Sequence, residues 1–248
     1  MKSRLLISSF FCVLTLFSKT TSGQNKLILK GHESKFYCFL DTLKVSKPYV
    51  TVNVKWISDT IQIRKWTYDL NIDSALVEFK KAARITDWFP SEMEKQGILI
   101  RKKIAAQNCY SNALEHYFEF KNLNFNKIFN DSTSIVDMSS FEKILNNSFA
   151  LVKRFSTKKK SKINKLNIEN GSFIVLRNKS RKPIHSIFYE KDIFYSKNGQ
   201  NAETKYKRLK DIIKRYFDTI EIEIYELNES SIFKFISNKN TCANKELI

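Results

Sequence analysis

From Asn108 onward the apolar residues of this chain change period, and that change limits the folds open to it. Tyr110, Ala113, Leu114, Tyr117 and Phe118 recur at i, i+3, i+4, i+7 and i+8, which lines one face of an α-helix. Asn108 suits the position before it, because a side-chain oxygen there can accept from a free backbone N–H of the first turn. Upstream, residues 49–57 alternate at period two, and residues 26–68 read as about four strands. Downstream, strands are expected at 149–155, 171–177, 184–190 and 193–197, the last two joined by a short polar turn at Lys191 and Asp192. Helices are expected over 71–95, 140–147 and 204–217, with a closing strand at 220–227 and an exposed lysine-rich connection over 156–165. The class is α+β: a helix that begins at Cys109 packs on an antiparallel sheet, preceded by a small β-rich region.

The first 23 residues have the form of a secretory signal peptide: Lys2 and Arg4, an apolar run from Leu5 to Phe17, then a small and polar stretch to Gly23. The run is too short for the roughly 20 residues that a spanning helix needs. The expectation is therefore a secreted or periplasmic mature chain. It divides into a β-rich region with a following helix over 24–96 and a second region over 97–248, with Gly97 as the soft boundary. The net charge of +18 falls to about +15 when Lys2, Arg4 and Lys19 are removed, and such a surface attracts polyanions. Cell-wall polymers, anionic lipid head groups and extracellular nucleic acid are the polyanions an exported protein meets. A solvated lysine-rich face is the plainer reading, and no specific nucleic-acid motif is present. His32, His116 and His185 have no metal-ligand spacing and there is no CxxC, so no metal or other cofactor is expected. Outside the signal segment stand Cys38, Cys109 and Cys242. An odd count in an oxidising compartment leaves one thiol when two cysteines pair.

Cys109 falls in the first turn of the expected helix, where free N–H groups and the helix dipole favour a thiolate, the nucleophilic form. Its plainer reading is a small buried hydrophobe. His185 opens a strand whose alternation sets it on one face with Ile187 and Tyr189, and Asn198 ends the partner strand. A histidine beside a side-chain amide has what a general base needs, a third group to hold its tautomer. An ordinary sheet-edge histidine would look the same.

Asn108-Cys109-Tyr110-Ser111-Asn112-Ala113-Leu114, then Gly171-Ser172-Phe173-Ile174-Val175, then His185-Ser186-Ile187-Phe188-Tyr189 resemble, in order, the motifs of the papain-like cysteine hydrolases, most closely the NlpC-type cell-wall peptidases. The stretch after Cys109 is also similar to the nucleophile box of deubiquitinating peptidases. The resemblance implies a papain-like fold with Cys109 as nucleophile, His185 as base and Asn198 as the residue orienting the imidazole, with Ser196 as the alternative if the hairpin register differs. It implies acyl transfer on a peptide or peptidoglycan-like substrate. Asn108 stands where the family has an acid. Gln107 is only two residues before Cys109, which leaves the Cys109 backbone N–H as the named oxyanion donor. Rival readings are a non-catalytic basic binding module and an effector that binds a protein partner.

Overall fold

In a computed structural model of the chain the described residues are 29, 33–46, 49–66, 107–125, 128–129, 134–157, 163, 166–199 and 203–237. The expected signal peptide, the helix over 71–95, Cys242 and much of the lysine-rich connection lie outside them. Strands β1 (Tyr37–Ser46), β2 (Tyr49–Trp56), β3 (Asp59–Trp66) and β4 (Ser134–Val136) form an antiparallel sheet in that order. Strands β5 (Phe149–Ser156), β6 (Ser172–Arg177), β7 (Pro183–Glu190), β8 (Ile193–Lys197), β9 (Glu203–Tyr206) and β10 (Glu221–Leu227) form a second, ordered β5-β10-β6-β7-β8-β9. The described helices are α1 (Cys109–Phe120), α2 (Met138–Ser148), α3 (Leu209–Arg215) and α4 (Glu229–Ser237). The chain is thus α+β with antiparallel sheets. Among the described residues no helix is long and apolar enough to cross a membrane.

The apolar stripe read from Tyr110 to Phe118 is the centre of the main core. Ala113, Leu114, Tyr117 and Phe118 are buried with Val54, Trp56, Ile61 and Ile63 of the first sheet and with Phe173, Val175 and Phe188 of the second. Trp56 meets the Phe118, Phe125 and Phe129 rings at 6.1, 5.2 and 5.5 Å, and its indole N–H donates to Ser148 Oγ at 2.6 Å. The far face of the six-stranded sheet carries a second core of Ile174, Leu176, Ile187 and Ile222 under Ile212 and Ile213 of α3. β6 is covered on both faces, and every residue of it is buried. A strand packed on two sides needs no polar face, which accounts for the unbroken Phe-Ile-Val-Leu run.

Two expectations change. The strands read within 26–68 are joined by β4 from residues 134–136, with Ile63 opposite Val136. One sheet thus draws on residues from both sides of Gly97. Residues 203–206 are an edge strand and not the start of a helix: Tyr206 pairs with Phe194 and Thr204 with Ser196, and α3 begins only at Leu209. The β-branched and aromatic residues gain cross-strand partners there, with Lys205 Nζ 5.4 Å from the Tyr195 ring, and this outweighs the helical spacing. The helix α4 had no reading from sequence.

Gly171, before β6, has φ +82°, and a Cβ there would overlap the Phe120 ring. Gly199 has φ +57° with nothing within 4 Å of such an atom. Gly171→Ala should lower the unfolding free energy by roughly 2–5 kcal/mol, about 1–2 from the left-handed backbone and about 1–3 from overpacking. Gly199→Ala should cost only about 1–2. Urea melts of the two variants check this, and equal losses would refute the close approach of α1.

Candidate active site

The start of α1 is held from three sides. Asn108 and Ser111 cap it reciprocally: the Ser111 N–H donates to Asn108 Oδ1 at 3.1 Å and the Asn108 N–H donates to Ser111 Oγ at 3.2 Å. Asn108 Nδ2 also donates to the Val136 carbonyl at 2.6 Å, which ties the cap to β4. The amide does what a carboxylate could not, accepting from the helix and donating to the strand. Tyr110 stacks on Phe141 at 4.2 Å and its hydroxyl donates to the Pro183 carbonyl at 2.6 Å. Ser186 Oγ donates to the Cys109 carbonyl at 2.8 Å. The last two contacts fix the turn that carries Cys109 against the first residues of β7, where His185 stands.

β7 enters the sheet through an irregularity. Leu176 pairs with His185 but Arg177 pairs with Pro183, so Ile184 is the extra residue of a bulge, a device that re-aims side chains. After it, alternation sends Ser186 and Phe188 toward α1, and His185 and Ile187 toward the α3 face. His185 is fully buried. Its Nε2 lies 2.7 Å from Ser196 Oγ, its ring stacks on Tyr216 at 4.0 Å and 16°, and its Nδ1 has no hydrogen-bond partner.

Asn198, the residue expected to orient the ring, does not touch it; its Oδ1 accepts from the Tyr216 hydroxyl at 2.7 Å. Ser196, the alternative, occupies that position. The cause is the length of the hairpin ladder, whose last pair is Phe188 with Tyr195. Continued register would bring Asn198 opposite His185, but the pairing stops first and the ring reaches back to Ser196. Ser186 and Tyr216 had no reading as site residues. The only signal for Ser186 was its place next to His185, and Tyr216 fell within the last residues of the helix expected over 204–217.

The electrostatics reverse one expectation. Cys109 is part-exposed as a residue, yet burial pushes its thiol up to about 11, against the opposing effect of hydrogen bonds from the Ser186 backbone and hydroxyl. Burial also pulls His185 down to about 3. At neutral pH the pair is a thiol and a neutral imidazole, not the thiolate expected from the helix N-terminus, because desolvation exceeds the favourable dipole. Nothing joins the thiol to the imidazole by a hydrogen bond.

The Gln107 side-chain amide donates to the Glu115 carboxylate and to the Phe129 carbonyl, so its N–H groups serve the core. A cavity of about 470 Å³ lined by Ile163, Leu166, Phe194 and Arg208 among others lies away from both Cys109 and His185. Cys38 is disulfide-bonded, and Cys109 is free. Among the described residues no three His, Cys, Asp or Glu side chains converge as a metal site. No protein-family model, curated protein or solved structure matches the chain.

Two outcomes follow from the buried pair. Alkylation of Cys109 by iodoacetamide should quicken about tenfold per pH unit from 7 to 9 with no plateau, since a thiol near 11 stays protonated throughout; a plateau below pH 8 would show a free thiolate. Stability should fall as pH drops from the ordinary histidine value of 6.5 toward 3. There the unfolded chain takes a proton that the folded ring refuses, at up to about 1.4 kcal/mol per pH unit. His185→Gln should flatten that part of the curve, read as urea midpoints at pH 7, 5 and 4. The same slope in both proteins would remove His185 as its source.

Proposed function

We propose that this chain is an exported thiol hydrolase that cleaves amide or peptide bonds, with Cys109 as nucleophile, His185 as base and Ser196 as the group that fixes the ring. The observation that carries this reading is the unpartnered Nδ1 of the buried His185, beside the Ser186 that grips Cys109. A buried acceptor with no partner costs about 1–3 kcal/mol. A scaffold gains nothing from that loss, whereas a general base needs a free lone pair. With Nε2–H donated to Ser196, Nδ1 is the proton acceptor.

The chemistry is acyl transfer. The thiol proton passes to Nδ1 as sulfur attacks the carbonyl carbon, the imidazolium returns that proton to the leaving amine as the C–N bond breaks, and water then hydrolyses the thioester with His185 again as base. The Cys109 backbone N–H is the proposed oxyanion donor. The order of the three motifs supports a papain-like, NlpC-type architecture. The excess positive charge supports a substrate set among anionic polymers, such as a cell-wall peptide.

A second reading, a non-catalytic basic binding module, draws on the neutral, buried state of both groups. Release of new amines from purified peptidoglycan and from a peptide library separates the two. Cys109→Ala should abolish release, His185→Gln should lower it by about 10²–10⁴, and Ser196→Ala should lower it less than His185→Gln does. If Cys109→Ala releases as much amine as the wild type, or if no preparation releases any while binding to the polymer persists and weakens with salt, the binding module replaces the hydrolase.

A further inference from the structure

His185 is closed off by one side chain. Tyr216 follows α3 as its C-cap residue, where its backbone leaves the helix at φ −109° and ψ 63°. Its ring lies nearly parallel to the imidazole, 4.0 Å from it. The hydroxyl donates to Asn198 Oδ1 at 2.7 Å, beyond the end of β8. The Tyr216 carbonyl accepts from both the N–H and the hydroxyl of Thr219, at 2.9 and 2.6 Å, so a tight turn follows the ring. That turn is a surface element: Phe217 is 84% exposed. The other end of the hold is also at the surface, since Gly199 next to Asn198 has open space where a Cβ would be. The core beneath, Ile212 and Ile213 of α3 on Ile187, has Tyr216 packed against its edge as a partly buried residue.

We propose that Tyr216 is a positioning residue that closes over His185, with Asn198 as its latch, and that binding of a peptide substrate lifts it. The proposal rests on the hydrolase reading and names how that site is controlled. Its force lies in what the ring covers. His185 has Ser196 on one nitrogen and Tyr216 across its face, and Cys109 is close enough to Tyr216 to act on it electrostatically. Tyr206 and Arg215 are the other ionisable groups that bear on Tyr216, and neither holds it as Asn198 does. The closure consists of one stack, one neutral hydrogen bond and a partial apolar contact with the edge of the α3 core, each of which a bound peptide can replace with contacts of its own. With the ring withdrawn, water reaches the imidazole and the thiol together. The thiol proton can then move to Nδ1 and the charged pair becomes solvated. In the closed state the nucleophile is protected from oxidants in an oxidising compartment.

The test is the reactivity of Cys109 in the full chain, read by mass spectrometry of its carbamidomethyl adduct across pH 6–10, with near-ultraviolet circular dichroism as the check on folding. Tyr216→Ala should raise the iodoacetamide rate at pH 7 at least about tenfold and introduce a plateau at neutral pH. Tyr216→Phe and Asn198→Ala keep the stack and remove only the latch, so each should give a smaller rise, about threefold, and the double variant no more than either alone. In a His185→Gln background the plateau should vanish, an outcome that simple loosening of the fold would not produce. Unchanged rate and profile in folded Tyr216→Ala overturns the proposal. If that variant does not fold, unchanged rates in both Tyr216→Phe and Asn198→Ala overturn it. The two readings fail separately. Faster alkylation with no amide turnover in any variant leaves the lid and removes the hydrolase. Turnover that needs Cys109 and His185 but ignores Tyr216 and Asn198 leaves the hydrolase and removes the lid.

Discussion

The contact between the Ser186 hydroxyl and the Cys109 carbonyl, 2.8 Å long, joins the two elements that carry the proposed nucleophile and base. On one side is a helix buried along its length between two sheets, and on the other is the strand that carries His185. With Tyr110 bound to the Pro183 carbonyl, it sets both the rotation of the first turn and its depth against β7. A helix packed by its apolar stripe alone could slide or turn by a few tenths of a residue, since hydrophobic contact has little direction. Two directional bonds at one end remove that freedom, and the cap on Val136 holds the opposite side. The proposed nucleophile would need placement to about half an ångström, and the bonds that hold its turn end on backbone carbonyls.

A different balance governs the sheet beneath α1. Arg177 and Glu223 are both buried, paired with one another, and extended to Glu142 of α2 and to the Tyr225 hydroxyl. Burying such charges is expensive unless each is matched. The network is matched: Glu223 also accepts from Arg154 and from Tyr225. It fixes α2 against β6 and β10, and α2 in turn supplies the Phe141 ring on which Tyr110 stacks. Loss of one partner would leave a charge uncompensated under the very element that supports the helix start.

Periodic features were the legible ones. The stripe from Tyr110 to Phe118, the cap at Asn108 and the hairpin about Lys191 and Asp192 all appear where the residues put them, the two turn residues at φ 49° and 61° as a tight hairpin requires. Each depends on neighbours in sequence. What sequence could not give depends on residues far apart. β4 joins a sheet whose other strands lie some 70 residues earlier, with Ser134 opposite Lys65, and a three-residue strand has too little pattern to detect. The choice between Ser196 and Asn198 turned on where a ladder ends. The protonation of Cys109 turned on burial, which no spacing records. A helix N-terminus favours a thiolate only to the extent that water or a cation shares the charge, and here burial of the thiol works against it.

The placement of the two groups on β7 also explains why a candidate site would stand at the beginning of that strand and not along it. Successive side chains point to opposite faces, so the residue that meets α1 is Ser186 and its neighbour His185 must face the other core. Further along the strand that separation would be absolute, because the sheet itself stands between the faces. At the strand's first residues the bulge at Ile184 turns the chain, and the Tyr110 hydroxyl of the α1 turn reaches the Pro183 carbonyl there. Tyr216 stands at this end of the strand, stacked on the imidazole and influenced electrostatically by Cys109. An encounter between thiol and ring, which the proposed chemistry requires, would therefore run around the end of the strand, where Tyr216 stands.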